Sequence, residues 1–377
     1  MSFNQLFKIG AILLGSLLLC LHGDEAFAQR QPISLDDIRA ARQQEIELKA
    51  KALQQRWLRK STQAVSAAQD EYDVSHYRLQ LNIDPATEQI SGSVEMSARA
   101  KVNGFQSVEL DLTSNMIVDG VSGAAASFTR SGDKLILQLS QPRQNGEAFA
   151  VGVQYHGQPQ TAGFGAFGFS RHQNQPIIWT LSEPYFARSW WPCKDVPNDK
   201  ADSVDVIVTV PANLTAASNG VLRSVASDDE LNTRTFHWHE SYPITTYLVS
   251  LAITNYATYS EWFHYAPDDS MEVRYYIYPE FLARAQSDLT ETIKMLTYFH
   301  KIFGPYPFLS EKYGIAQFPW GGGMEHQTMT SQGSFGLTLT VHELAHQWWG
   351  DKITNATWGD IWLNEGFASY AEALYFE

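Results

Sequence analysis

A chain of 377 residues is long enough for two domains, each with its own core, and 44% hydrophobic with 18% charged residues describes an ordinary soluble globular protein. The balance is acidic, 27 Lys+Arg against 41 Asp+Glu, which argues against nucleic acid as the main partner and mildly favours cationic substrates.

Lys8, the apolar run Ile9–Leu21 and the small-x-small site Ala26-Phe27-Ala28 predict a signal peptide over residues 1–28, cut after Ala28. The run is too short to span a membrane, so no transmembrane helix is expected in the mature chain. The expected location is secreted or periplasmic. Only Cys193 remains after cleavage, so no internal disulfide forms. Residues 29–71 read as a charged helical leader with favourable pairs such as Glu45 with Lys49.

From residue 72 to residue 265 the pattern has a period of two. Tyr77, Leu79, Leu81 and Ile83 alternate with polar residues, as do Val108, Leu110 and Leu112, and Val204, Val206, Val208 and Val210. Turn signals such as Asn103-Gly104 and Asn219-Gly220 separate the runs, which together predict an antiparallel β-sandwich or saddle-shaped sheet.

Residues 266–377 read as helices beside a small sheet. A long helix is expected from Pro279 to about Phe303, then strands over Glu311–Trp320 and Met324–Ser331, then two more helices. His342 and His346 are four apart, so on a helix both imidazoles leave one face and can hold one Zn²⁺, with Glu343 placed to reach a metal-bound water. A catalytic zinc needs a third ligand, and Glu365, nineteen residues after His346, suits a second helix facing the first. Asp360 is a candidate for the acid that orients a ligating imidazole. Trp348, Trp349, Trp358 and Trp362 bracket the ligands and read as core packing.

Four segments resemble the aminopeptidase N family of zinc metallopeptidases, of the gluzincin type. They are His342–Glu365 with Gly366-Phe367-Ala368-Ser369-Tyr370; Gly322-Gly323-Met324-Glu325; Ala187-Arg188-Ser189-Trp190-Trp191-Pro192-Cys193-Lys194-Asp195; and Val74-Ser75-His76-Tyr77. The resemblance implies a multidomain chain, an N-terminal β-sandwich or saddle domain followed by a thermolysin-like α+β catalytic domain. It also implies one zinc ion on His342, His346 and Glu365, Glu343 as general base, and peptide substrates with a free N-terminus.

The family's Gly-Ala-Met-Glu-Asn segment falls on Gly322, Gly323, Met324, Glu325 and His326, with Gly323 replacing Ala and His326 replacing Asn. The match gives Glu325 the substrate's α-ammonium, with Glu183 as a second acid at the amine. Glycines on a strand let a peptide backbone lie along its edge, and His326 is expected to donate a hydrogen bond to a substrate group. Arg188 and Asp195 read as structural. The family's oxyanion tyrosine lies several tens of residues beyond the glutamate ligand, past Glu377, so the catalytic domain reads as incomplete. The alternatives are another zinc hydrolase (endopeptidase or epoxide hydrolase) or a catalytically weak zinc- or peptide-binding fragment.

Overall fold

The computed structural model describes residues 66–377. The expected signal peptide and the leader as far as residue 65 lie outside the described residues. The leader's last residues form a short 3-10 turn, Ala67–Glu71, capped by Ser66.

Alternating hydrophobicity builds a seven-stranded sheet in the spatial order Val221–Asp228, Thr233–Glu240, Ser203–Pro211, Tyr72–Asp84, Gln89–Ala100, Ala148–Gly157, Ile117–Gly123. One face turns Leu79, Val94, Val151 and Val206 inward, where they share a core with Leu110 and Leu137 of a three-stranded sheet. One pair departs from the expected antiparallel pattern: Tyr72–Asp84 and Ser203–Pro211 run parallel. Their separation of more than a hundred residues allows the long crossover that parallel pairing requires.

The segment around Ala187–Ser189 is tied to this core by Arg188, whose Nη1 lies 3.1 Å from Asp111 Oδ1 and whose Nε lies 2.8 Å from Asp195 Oδ2. All three side chains are buried, as expected of a structural pair. A four-stranded sheet, containing Gln175–Leu181 and Ala252–Thr254, carries the chain toward the second part.

The second part is a mixed five-stranded sheet in the order Ala257–His264, Ser270–Ile277, Lys312–Gln317, Thr330–Gln332, Gly323–Met324. Its first hairpin straddles residue 265, so the expected boundary falls within a single sheet. The expected strand over Met324–Ser331 is two antiparallel strands, and Gly323–Met324 forms the sheet edge. The expected long helix is also divided. A 3-10 turn over Pro279–Phe281 leads into helix α1 (Leu282–Asp288), and helix α2 spans Thr292–Ile302. At the break, Thr290 and Thr292 donate their hydroxyls to the carbonyls of Ser287 and Leu289, offering the backbone an alternative to helix. Helices α3 (Leu337–Ala345) and α4 (Ile361–Phe376) then pack against the sheet through Val341, Leu344, Ala368 and Ala371. Among the described residues no helix is long and apolar enough to cross a membrane.

Candidate active site and metal centre

Helix α3 carries His342 and Glu343, and His346 caps its C-terminal end; Glu365 projects from the facing helix α4. The four-residue spacing brings His342 Nε2 and His346 Nε2 to 3.0 Å. Glu365 Oε2 lies 3.2 Å from His342 Nε2 and 3.9 Å from His346 Nε2. Ligand atoms on a tetrahedral zinc with bonds of ~2.0–2.1 Å stand roughly 3.3 Å apart, so these three nearly enclose one ion already.

The outer nitrogens fix the tautomers. His346 Nδ1 donates to the Trp349 carbonyl at 3.0 Å, and His342 Nδ1 lies 2.6 Å from Glu372 Oε1. A carbonyl only accepts, so Nδ1 of His346 carries the proton, and a carboxylate partner asks the same of His342. Both Nε2 atoms then present lone pairs toward Glu365, an arrangement that a cation satisfies.

A second group of acids adjoins the first. One ligand atom each from Glu325, Glu343 and His346 lie within 4.8 Å of one another. This set shares His346 with the two-histidine set, so the one inward-facing nitrogen cannot complete both. The set with two imidazoles is the better zinc site, because borderline-soft zinc favours nitrogen donors.

Gly323 explains how Glu343 fits. A Cβ there would come within 2.3 Å of Glu343 Oε1, so the glycine lets the carboxylate lie against the edge strand. Met324 points into the core. Glu325 is buried, and its carboxyl is held well above the usual range by burial and then by the charges of Glu183, Glu365 and Glu343. Glu183 therefore faces the same acidic recess. His326 is fully buried, with Nδ1 2.9 Å from Ser331 Oγ, and burial pushes its pKa down to about 3. It is a neutral ring tied to the neighbouring strand rather than a residue on the open surface of the site.

The Peptidase M1 N-terminal domain matches residues 73–248, and the Peptidase family M1 domain matches residues 324–377. The chain belongs to peptidase family M1. This M1 chain is 27% identical to aminopeptidase B of Mus musculus over 267 residues, 65% of this chain and 37% of that relative. It is 26% identical to leukotriene A-4 hydrolase of Xenopus laevis over 326 residues, 81% of this chain and 52% of the relative. A mutant M1 zinc metallopeptidase from Deinococcus radiodurans, solved with a Tyr-Ser-Ala substrate, matches with a TM-score of 0.71 at 27% identity, over 83% of this chain and 74% of that one. The M1 chain thus spans 37% of the length of the first of these curated relatives.

Three residues of the M1 site escaped the sequence reading. Glu372, not Asp360, holds an imidazole; Asp360 instead accepts from Thr357 Oγ1 at 2.8 Å near the surface. Glu372 follows Glu365 by seven residues on α4, two turns along the same face, and that spacing was the available signal. Gln347 accepts from the Thr328 backbone N–H at 2.9 Å and from Tyr306 at 3.1 Å, tying the end of α3 to the loop after Glu325. Tyr247 buries its hydroxyl where Glu325, Asp351, Glu183 and Glu365 add to burial in raising its pKa, a neutral donor beside the acidic recess. Trp362 is 64% exposed and is not core packing, whereas Trp348 and Trp358 are buried.

Replacing Glu372 with Ala removes the acceptor for His342 Nδ1. The expected result is a loss of about 10- to 100-fold in zinc affinity, measured by competition with a chelator. Unchanged affinity would show that Glu372 does not set the imidazole.

Proposed function

We propose that this chain is the zinc-binding part of a zinc-dependent aminopeptidase, and that His342, His346 and Glu365 hold one zinc ion. The convergence of their ligand atoms, with a buried pair of acids alongside, carries the reading. When bound, zinc polarises a carbonyl and lowers the pKa of a water toward ~7.

The chain's own groups would do the rest. The Trp349 carbonyl and Glu372 keep both imidazoles turned inward. Glu343 accepts a proton at its carboxylate and returns it to the leaving amine, the task of a general base that becomes an acid. Glu325 and Glu183 bind the substrate's α-ammonium, whose three donors suit two acceptors, and whose charge relieves the repulsion that raises Glu325. The edge strand at Gly322, Gly323 and Met324 aligns the peptide backbone. The apolar run Ile9–Leu21 before Ala26-Phe27-Ala28 supports export to the periplasm or exterior.

The test compares an aminoacyl anilide with its N-acetylated form, using the chain at its natural length. The free amine should be strongly preferred, and Glu325→Ala should lower its kcat/KM by about 10- to 100-fold, the worth of a charge-assisted hydrogen bond, while barely changing the acetylated substrate. Preference for the acetylated form would instead indicate an endopeptidase, and the amine roles of Glu325 and Glu183 would be lost.

A further inference from the structure

A cluster of three histidines around one carboxylate lies on the outer face of the seven-stranded sheet. Three adjacent strands supply it: His76 from Tyr72–Asp84, Asp205 from Ser203–Pro211, and His237 and His239 from Thr233–Glu240. The pairing register sets Asp205 opposite His239, and His76 opposite Ser203. Side chains alternate between faces of a sheet. His76, Asp205, His237 and His239 therefore share the outer face, while Tyr77, Val206, Phe236 and Trp238 fill the core beneath.

The outcome is one carboxylate encircled by three imidazoles. His237 Nε2 lies 2.7 Å and His239 Nδ1 2.8 Å from Asp205 Oδ1, and His76 Nε2 lies 3.3 Å from Asp205 Oδ2. Ser203 Oγ holds the other nitrogen of His76, Nδ1, at 2.9 Å, which leaves Nε2 turned toward the cluster. A surface ion pair needs one such partner, not three.

His237 and His239 are two apart on a strand, so their rings rise side by side from one face and can lean to a common point. The side chains of His76, His237 and His239 are 27%, 30% and 25% exposed. The nitrogens meet at the carboxylate and do not yet converge on one another as the ligand atoms of His342, His346 and Glu365 do, so binding an ion requires these partly exposed rings to turn and exchange their hydrogen bonds for metal bonds. We propose that His76, Asp205, His237 and His239 form a second binding site for a borderline divalent metal of the zinc class. Three nitrogens and one oxygen complete a tetrahedral shell, so this ion would have no open position and would clamp three strands, including the parallel pair. It shares no residue with the catalytic cleft.

The experiment strips the full-length protein with a chelator, reloads it with Zn²⁺, removes the excess by gel filtration and counts metal by plasma mass spectrometry. Two zinc ions per chain are expected in the wild type. His237→Ala with His239→Ala should retain one, and Asp205→Asn, which preserves side-chain volume, should likewise retain one. Adding Zn²⁺ to the His342→Ala/His346→Ala variant should still raise its melting temperature, and that rise should vanish once His237 and His239 are also replaced. A wild type with one zinc that survives loss of His237 and His239 overturns the proposal. One zinc lost with that pair, yet kept without His342 and His346, would support the sheet site and defeat the catalytic one.

Discussion

Turnover of a free-amine substrate is expected to fall by about 10²- to 10⁴-fold in Glu343→Gln, the usual contribution of a positioned general base, with zinc content unchanged. The amide has the shape of the carboxylate and still fits against Gly323, where a Cβ would meet Oε1 at 2.3 Å. It cannot take up a proton. Glu343 also lies outside the His342, His346 and Glu365 set, so metal should remain. Steady-state kinetics with metal analysis on the same sample decides between the two sets of ligands. Activity within a few-fold of wild type would remove Glu343 as the base. Loss of zinc together with activity would instead make Glu343 a ligand, in the set it forms with Glu325 and His346.

The juxtaposition of His342 and His346 was legible because helical periodicity is local. Two histidines four apart must share a face on any helix. Glu365 required a second helix to face the first, which the spacing suggested and the packing of α3 on α4 realises. Glu372 was equally available on α4, but its role appears only when His342 Nδ1 is asked for an acceptor. Gln347 and Tyr247 had no signal in the chain. Their roles depend on where the loop after Glu325 and the turn Thr246–Leu248 fold against the cleft.

The sheets show the same division between local and distant causes. Alternation marks a strand and its buried face but not its partner, so the parallel pairing of Tyr72–Asp84 with Ser203–Pro211 was invisible. Ala257–His264 likewise reads as a strand of the first part, yet it pairs with Ser270–Ile277 in the second sheet. The interruption between α1 and α2 is local but subtle. Thr290 and Thr292 are weak helix formers that a count of apolar positions ignores, and their hydroxyls bond the carbonyls three residues back. Trp362 misled for the opposite reason: beside the Glu365 turn it suggested packing, and it stands on the exposed face of α4.

Arg188→Ala is expected to cost about 3–5 kcal/mol of stability, because it leaves the buried Asp195 without its cation, whereas Asp111 keeps Lys134 at 2.8 Å. Burial opposes the guanidinium's charge, but Asp195 and Asp111 more than offset it and raise its pKa above the usual value. Asp195 itself is raised by burial, and Arg188 is the main influence holding it down. Without Arg188 that carboxyl rises further. A carboxyl raised above its unfolded pKa contributes stability that is present at low pH and lost as pH rises through the folded value. The deficit of the variant should therefore be smaller near pH 4 than at pH 7. Lys in place of Arg should rescue little, since one ammonium cannot reproduce contacts made separately by Nε and Nη1. The damage should also reach the acidic recess: Thr246 donates to Asp195 at 3.1 Å beside Tyr247, and the turn at Ala187 begins four residues after Glu183. Urea denaturation at the two pH values is the measurement, and a loss below about 1 kcal/mol that does not change with pH would mean that the pair contributes no more than a surface salt bridge.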